Sequence, residues 1–255
     1  GRERGDRGLL LPAGAVTQDP VTRWHADLLS EIERLADPAY REGSLMVAPT
    51  AQRVHGVRTP DNRRLARTWR RAHPGTERGL VLALVESLWN AESRDERMLG
   101  LEILYLYPNI VRGLTHGVFD RWRRDIDNWG VCDFVATRIL GPWAKTDPQN
   151  RLAYLEDLVG DPHLYSRRLG LVASVHLNHD GSSFGAWTLA QVDRLVDERD
   201  PMITKAVSWS LRQMTRHQAA EVEAYLETRD DRIAALPKRE VRNKLRTGRK
   251  SGRTE

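Results

Sequence analysis

Residues 77–105 read Glu-Arg-Gly-Leu-Val-Leu-Ala-Leu-Val-Glu-Ser-Leu-Trp-Asn-Ala-Glu-Ser-Arg-Asp-Glu-Arg-Met-Leu-Gly-Leu-Glu-Ile-Leu-Tyr. In the first half, Leu80, Leu84 and Leu88 recur at helical spacing, which predicts a helix over 77–91. In the second half, Ser93 precedes Glu96 by three residues. This is the spacing of a capping box, in which two side chains satisfy free amides at the start of a helix. The segment therefore predicts two helices joined by a short polar turn.

The same arrangement of paired helices continues along the chain. Further helical patterns cover residues 20–35, 39–46, 59–72, 119–124, 128–140, 150–159, 161–177, 188–196, 200–216, 219–228 and 238–245. Short loops with Pro, Gly, Asp or Ser separate them, and no convincing strand pattern intervenes. Helix pairs that recur roughly every 35–45 residues are typical of HEAT-like repeats, which stack into a concave surface. We therefore predict an all-α fold, a right-handed superhelical α-solenoid of HEAT-like helix pairs with a concave basic groove.

The composition excludes several classes of protein. Cys132 is the single cysteine among 255 residues, so an internal disulfide and a cysteine metal cluster are excluded, and we interpret it as a packing residue. The eight histidines show no ligand spacing, so we expect no metal and no cofactor. No apolar run approaches the ~20 residues of a membrane span, and the charged start lacks a signal-peptide core. We expect a cytoplasmic monomer.

The positive charge is concentrated near the end of the chain. The net charge is +5, yet residues 238–253 contain one acid, Glu240, and eight basic side chains: Lys238, Arg239, Arg242, Lys244, Arg246, Arg249, Lys250 and Arg253. Such a segment is typical of a phosphate-binding arm, and a solubilising end is the alternative. We predict a flexible segment over 1–20, one domain over 21–246 and a disordered basic tail over 247–255.

Two helices carry a tryptophan on the face opposite their apolar stripe. In 128–140 the stripe consists of Val131, Phe134, Val135 and Ile139. Trp129 and Asp133 lie on the other side, one turn apart. A packed tryptophan beside a solvated aspartate would also explain this arrangement.

The second helix, 200–216, places Trp209 opposite its own apolar stripe, together with the cations Lys205, Arg212 and Arg216. Basic side chains bind phosphates, and flat aromatic rings stack on sugars or bases. The two helices together therefore indicate a nucleic-acid surface.

Five motifs in order resemble the AlkD-type DNA alkylation repair proteins, which are HEAT-like-repeat DNA glycosylases. These motifs are Gly56-Val57-Arg58-Thr59-Pro60, residues 93–101, Asn128-Trp129 with Asp133, Arg167-Arg168, and residues 205–212. The resemblance spans about residues 22–245. It implies excision of N3- or N7-alkylated purines from duplex DNA, so the expected partner is double-stranded DNA with alkylated bases, to which the protein binds in the nucleoid.

The resemblance also implies roles for single residues. Trp129 and Trp209 match the aromatic residues that flank the deoxyribose of the lesion, and Asp133 matches the carboxylate beside the reacting sugar. One of Arg167 and Arg168 matches an arginine that contacts the DNA backbone. The helical projection favours Arg168, which lies within an apolar arc, although a structural ion pair is the alternative. The predicted DNA contacts are Arg167, Arg168, Lys205, Arg212, Arg216, Lys238, Arg239 and Arg242.

These side chains suit the expected chemistry. An N3- or N7-alkylpurine is cationic and leaves readily, so positive charge develops on the sugar. A nearby carboxylate stabilises that charge and can orient water, and indole faces favour a cation between them. The resemblance further implies action without a pocket for an extruded base, in contrast to many glycosylases.

The sequence departs from the family pattern at Ser208, where a glycine is expected, and at Gln213, where a glutamate is expected. Gly130 also weakens the first turn of its helix by ~1 kcal/mol relative to alanine. None of these changes removes a group that the chemistry needs, but they leave the substrate range open. Two other functions remain: a DNA-structure binder without glycosylase activity, and a protein-binding α-solenoid. The joint retention of Trp129, Asp133 and Trp209 favours the enzyme, whereas the Trp209–Arg212 face and the basic tail disfavour a protein partner.

Overall fold

The computed structural model describes residues 19–181 and 184–251, and within those ranges it is built of helices without a β-strand. One isolated parallel bridge joins Arg53 to Ser93. The helices are α1 (Pro20–Arg34), α2 (Pro38–Val47), α3 (Thr59–Ala72), α4 (Arg78–Trp89), α5 (Arg94–Tyr105), α6 (Pro108–Arg112), α7 (His116–Asp125), α8 (Trp129–Phe134), a π-helix (Val135–Leu140), α9 (Gly141–Thr146), α10 (Pro148–Val159), α11 (Leu164–Leu177), α12 (Gly185–Leu195), α13 (Pro201–Met214), α14 (Ala219–Thr228) and α15 (Ala235–Thr247).

Asp-Pro pairs start four of these helices, α1, α2, α10 and α13, and in all but α10 the aspartate side chain caps the helix. The carboxylate of Asp19 accepts a hydrogen bond from the backbone N–H of Thr22 at 3.2 Å, and that of Asp200 accepts one from Met202 at 2.7 Å. Asp37 caps α2 in the same way. A proline follows each aspartate, where its missing N–H costs nothing and its fixed φ suits a helix. Each cap stabilises its helix by about 1 kcal/mol, which explains why these starts are readable in the sequence.

The helices form a solenoid, as predicted. Helices α3, α5, α8, α11, α13 and α15 pack side by side in that order. A second row covers this one, because α4 packs on α5, α10 on α11, α12 on α13 and α14 on α15. Each helix therefore contacts near neighbours in the chain, as in repeat proteins. The predicted site residues from Trp129 to Arg212 lie on α8, α11 and α13, three consecutive members of the first row, whereas Arg216 lies in the turn just after α13.

Large aromatic side chains fill the core between the two rows. Trp89 and Trp122 stack with ring centroids 4.8 Å apart, and both are about 1% exposed. Cys132 is fully buried, as predicted, and burial raises the pKa of its thiol well above the ordinary value. This thiol is therefore a packing group rather than a nucleophile.

The helix predicted over 128–140 does not end at Gly141-Pro142, and that prediction is wrong. The chain passes from α8 through the π-helix directly into α9. Pro142 lies at the start of α9, and the wider π turn before it accommodates the missing donor. Gly141 permits close packing, since a Cβ there would lie 2.7 Å from the Cβ of His176 on α11.

The prediction also missed the short helix α6 and the first turn of α15, which begins at Ala235, before Pro237. The predicted capping box forms only in part. The Ser93 hydroxyl accepts the N–H of Glu96 at 3.4 Å, but the Glu96 carboxylate lies 2.7 Å from Nε2 of His25 and also binds Arg53. Glu96 therefore links α5 to α1 and to the loop before α3.

At the ends of the domain, the predicted flexible segment falls largely on residues 1–18, which lie outside the described residues. Of the tail predicted over 247–255, Thr247 is the last residue of α15, and residues 248–251 bend back toward this helix. Residues 252–255 lie outside the residues that the structure describes. None of the helices within the described ranges has the length and apolar character needed to cross a membrane.

Candidate functional site

A cleft of about 320 Å³ opens on the row formed by α8, α11, α13 and α15. It is lined by Val47, Trp129, Asp133, Arg168, Met202, Lys205, Trp209, Arg212, Glu240 and Lys250. The structure thus brings together Trp129, Asp133 and Trp209, the three residues that the sequence singled out as catalytic candidates. They come from helices separated by up to 80 residues of chain, so only the tertiary fold makes them neighbours.

Trp129 is held at the edge of this cleft by two local features. Asn128 caps α8, with its side-chain oxygen accepting the N–H of Val131 at 3.0 Å. The indole N–H of Trp129 donates to the carbonyl of Val47, the last residue of α2, at 3.0 Å. The ring is therefore fixed although it is only partly buried, as is the ring of Trp209. Part of each ring stays exposed, although Trp209 packs against the core and Trp129 contacts the end of α2.

Asp133 forms a bidentate ion pair with Arg168. Nε of Arg168 donates to Oδ1 and a terminal nitrogen donates to Oδ2, both at 2.8 Å. The other terminal nitrogen donates to the carbonyl of Met202 at 2.5 Å. The side chain of Arg168 is 6% exposed and that of Asp133 is 15% exposed. The structure therefore shows the ion pair that was the alternative for Arg168, and it places that pair in the wall of the cleft.

The two groups of this pair influence each other's protonation. Burial raises the pKa of the Asp133 carboxyl, and the hydrogen bonds and charge of Arg168 oppose that rise. Burial also works against the charge of Arg168, yet its bonds to Asp133 raise the pKa of the guanidinium. Without Arg168, Asp133 would be a desolvated carboxylate and would take up a proton at a higher pH.

Arg167 lies in a different environment from Arg168. Its guanidinium pairs with Glu198 at 2.8 Å and donates to the carbonyl of Pro162 at 2.7 Å. It does not belong to the residues that line the cleft. Of the two arginines between which the resemblance left a choice, the structure therefore places only Arg168 beside Asp133.

The other predicted DNA contacts divide into two groups. Lys205, which is exposed, and Arg212, which is half-buried, line the cleft. Arg216, Lys238, Arg239 and Arg242 lie outside it. Lys238 and Arg242 both pair with Asp230, so their charge is directed toward the loop before α15. The fold thus turns this side of α15 away from the cleft, which the count of basic residues could not reveal.

Sequence reasoning missed Glu240 as a residue of the cleft, along with Val47, Met202 and Lys250. Glu240 was visible as the single acid within the basic segment 238–253. An isolated acid among cations is a signal for an internal ion pair, and the structure shows that pair. Val47 and Met202 gave no signal, because they contribute through backbone carbonyls that bind Trp129 and Arg168.

A larger cavity of about 570 Å³ adjoins the cleft and shares Val47 and Trp129 with it. Two carboxylates that line this cavity, Asp95 and Glu102, form hydrogen bonds within the protein. Asp95 accepts the backbone N–H groups of two residues in the loop before α3, at 2.7 and 2.9 Å. Glu102 binds Arg63 at 3.1 Å. The smaller cleft differs, because its carboxylate Asp133 lies among the partly exposed indoles of Trp129 and Trp209.

Comparison with solved structures shows the same fold. A predicted DNA alkylation repair enzyme from Enterococcus faecalis is 15% identical, with a TM-score of 0.69; the match covers 81% of this chain and 94% of that one. AlkD2 from Streptococcus mutans is 14% identical, with a TM-score of 0.54; that match covers 88% and 96% of the two chains. None of the curated proteins compared with the sequence matches it. The model of the DNA alkylation repair enzyme family matches residues 28–245, and the chain therefore belongs to that family, as the resemblance in the sequence predicted.

Proposed function

We propose that the protein is a DNA glycosylase that hydrolyses the N-glycosidic bond of cationic N3- or N7-alkylated purines in duplex DNA. The observation that carries this proposal is the position of the Asp133 carboxylate in a cleft with two partly exposed indoles, Trp129 and Trp209. Membership of a DNA alkylation repair family gives the general function, and the side chains of the cleft suit this particular reaction.

The reaction needs stabilisation of a cation more than activation of a leaving group. The alkylated purine already carries a positive charge, and as the bond to C1′ lengthens that charge passes to the sugar. A carboxylate fixed beside the sugar stabilises the developing charge and orients the attacking water. The faces of Trp129 and Trp209 add favourable quadrupole interactions with the same cation.

Arg168 has a supporting role in this mechanism. Its two bonds fix both oxygens of Asp133, and its charge opposes the rise in the pKa of this carboxyl that burial causes. A guanidinium has five N–H donors. The two bonds to Asp133 and the bond to the Met202 carbonyl use three of them. Arg168 lines the cleft, and we propose that one of its two remaining donors forms the predicted contact with a DNA phosphate.

Duplex DNA is the partner that fits the cations of the cleft. Lys205 and Arg212 lie beside Trp209, so phosphates of the lesion strand can be neutralised while the sugar is held at the indoles. We propose that the enzyme acts as a monomer in the cytoplasm and without an extruded base. Groups of three metal-ligating side chains are absent from residues 19–181 and 184–251, and the proposed mechanism uses none.

A second function is favoured by one observation. Both oxygens of Asp133 are occupied by Arg168, which reduces the negative charge that the carboxylate offers to a sugar. A protein that binds distorted or alkylated duplex without excising a base would tolerate such a neutralised pair. This alternative predicts DNA binding without release of a base.

Release of free base from duplex DNA that carries 7-methylguanine distinguishes the two functions. The glycosylase proposal predicts release well above the spontaneous rate, with undamaged duplex as the control for background depurination. Binding of the same duplexes is measured at several salt concentrations, because phosphate contacts weaken steeply with salt. Salt-dependent binding without base release would instead support the DNA-structure binder.

A further inference from the structure

Glu240 is a buried carboxylate in a surface that is otherwise rich in cations. It lies on α15, its side chain is 11% exposed, and it lines the cleft with Trp209 and Asp133. Its Oε2 accepts the Ser208 hydroxyl at 2.6 Å and lies 3.6 Å from Nε of Arg212. Its Oε1 lies 3.2 Å from Nζ of Lys250. The glycosylase mechanism above gives no role to this carboxylate.

Lys250 reaches Glu240 because the chain reverses direction after α15. Gly248 has φ +70°, the left-handed conformation that ends many helices. The side chain of Thr247 then accepts the N–H of Arg249 at 3.2 Å, and Asn243 donates to the carbonyl of Lys250 at 3.4 Å. The turn over 248–251 therefore lies back along α15 and directs one of its cations to the cleft.

The groups around Glu240 are those that bind phosphate in other proteins. Two cations and a hydroxyl surround one anion. An oxygen of a DNA backbone phosphate accepts hydrogen bonds from the same donors as a carboxylate oxygen. The partners differ in how easily they exchange. Ser208 and Arg212 are largely enclosed, whereas the Lys250 side chain is 57% exposed. An exposed lysine in an ion pair gains little from it and can change partners at small cost.

We propose that Lys250 is a further phosphate-binding residue of the cleft and that Glu240 is the anion that it binds, in competition with phosphate, before DNA enters. When a duplex enters, a backbone phosphate replaces Glu240 as the partner of Lys250. Glu240 stays on α15, bound to Ser208 and Arg212. This inference rests on the proposed function only in taking duplex DNA as the ligand, and it does not require base excision.

The position of this cation in the cleft supports DNA as the anion that it meets. Lys250 borders the same cleft as Trp209, Lys205 and Arg212, so a strand held at the indole passes within reach of all three cations. Before DNA binds, Glu240 offsets part of this positive charge. The carboxylate therefore competes with phosphates for Lys250 and lowers the affinity of the cleft for them.

The test is the salt dependence of binding to undamaged duplex DNA by the full chain and three variants. For Lys250→Ala we expect the slope of log K against log salt to fall by about 0.9, the value for one phosphate contact. The same relation gives about an eightfold weaker affinity at 0.1 M salt. Arg246→Ala is the matched control, since Arg246 is an exposed cation on the last turn of α15 outside the cleft. Equal slopes for the two variants would overturn the proposal.

Glu240→Gln tests the role of Glu240 as the anion that competes with phosphate for Lys250. The amide retains the shape of the side chain and its bond to Ser208, but it no longer competes for Lys250. We expect DNA affinity to rise by up to about fivefold, the scale of a partly exposed ion pair. Most of that gain should disappear when Lys250→Ala is added. A weaker affinity of Glu240→Gln with an unchanged melting temperature would contradict the role, as would a gain that persists in full in the double variant.

These experiments distinguish a failure of the Lys250 proposal from a failure of the glycosylase proposal. Lys250→Arg keeps the charge and should retain most of the salt slope that Lys250→Ala loses. If Lys250 acted only by packing, arginine would not restore that slope. If wild type releases 7-methylguanine but Lys250→Ala binds like Arg246→Ala, this inference fails alone. If wild type binds duplex with the Lys250-dependent slope but releases no base, the glycosylase fails and the inference stands.

Discussion

Two of the carboxylate–cation pairs in the cleft, Asp133–Arg168 and Glu240–Lys250, differ in how firmly they are held. Asp133 and Arg168 make two hydrogen bonds of 2.8 Å with both side chains largely buried. Glu240 and Lys250 share one contact of 3.2 Å, and the lysine is 57% exposed. A buried bidentate pair is costly to break, whereas an exposed single contact costs little. The first pair thus fixes a carboxylate in place, and the second can exchange its partner for a ligand.

Arg168→Gln should have the largest effect on stability. It leaves Asp133 buried without its cation, so the free energy of unfolding should fall by about 3–5 kcal/mol at neutral pH. Arg167→Gln is the neighbouring control and should cost about 1 kcal/mol, because the pair of Arg167 with Glu198 is more exposed. Urea denaturation measures both. Equal losses would remove the contrast between the two arginines.

The loss in Arg168→Gln should depend on pH in a defined direction. Removal of the cation raises the pKa of Asp133 further above its value in the unfolded chain. A group with a raised pKa in the folded state stabilises the fold at low pH, and that contribution is lost as the pH rises through the folded value. The difference from wild type should therefore shrink toward acid pH. A difference that is constant between pH 4 and pH 8 would show that the carboxyl is not responsible.

Substitution of Trp209 tests the contribution of the indoles to base release. Trp209→Ala should slow base release by about 5- to 150-fold, the range for loss of one aromatic stacking contact worth 1–3 kcal/mol. Trp187→Ala is a matched control, because Trp187 is also partly buried but binds Glu156 at 2.8 Å away from the cleft. Single-turnover base release is the measurement, and similar slowing by both variants would contradict a specific role for Trp209.

Excision should also have an acidic limit set by Asp133. The carboxylate acts as an anion, so activity is present above its pKa and is lost as the pH falls through it. Because burial raises this pKa, the limit should lie at a higher pH than for an ordinary aspartate. Arg168→Lys keeps the charge but loses the bidentate geometry, so we expect its limit to move upward again. An unchanged profile of kcat/KM against pH in this variant would show that Arg168 does not tune Asp133.

The smallest effect on stability is expected at the second pair. Lys250→Ala should change the free energy of unfolding by less than ~0.5 kcal/mol, because an exposed ion pair contributes little. Thermal unfolding beside Arg246→Ala provides the measurement and its control. A loss comparable to that of Arg168→Gln would mean that the Glu240–Lys250 contact is structural and cannot exchange for DNA.

Local sequence patterns were sufficient for part of this site. Helical periodicity alone placed Trp129, Asp133 and Trp209 away from the apolar stripes, since the 3.6-residue period fixes which side chains share a face. It could not show that Arg168 meets Asp133, because that contact joins α11 to α8 across 35 residues.

The C-terminal part of the site depends on geometry that composition does not contain. Eight basic residues in one segment predicted an arm that binds phosphate. The direction of α15 and the turn at Gly248 instead bring Lys250 and Glu240 into the cleft and turn Lys238 and Arg242 toward Asp230. The break predicted at Gly141-Pro142 failed for a related reason, since a π turn accommodates a proline that local rules treat as a helix end.

The most direct measurement is the single-turnover release of 7-methylguanine from duplex DNA by wild type and Asp133→Asn. Asp197→Asn serves as the control, because Asp197 is an exposed aspartate that pairs with Arg232 outside the cleft. We predict that Asp133→Asn is slowed by about 10²–10³-fold, the scale for loss of one electrostatic group at a transition state, while DNA affinity stays within about threefold. Equal rates for Asp133→Asn, Asp197→Asn and wild type would contradict the assignment of Asp133 as the carboxylate that stabilises the sugar cation.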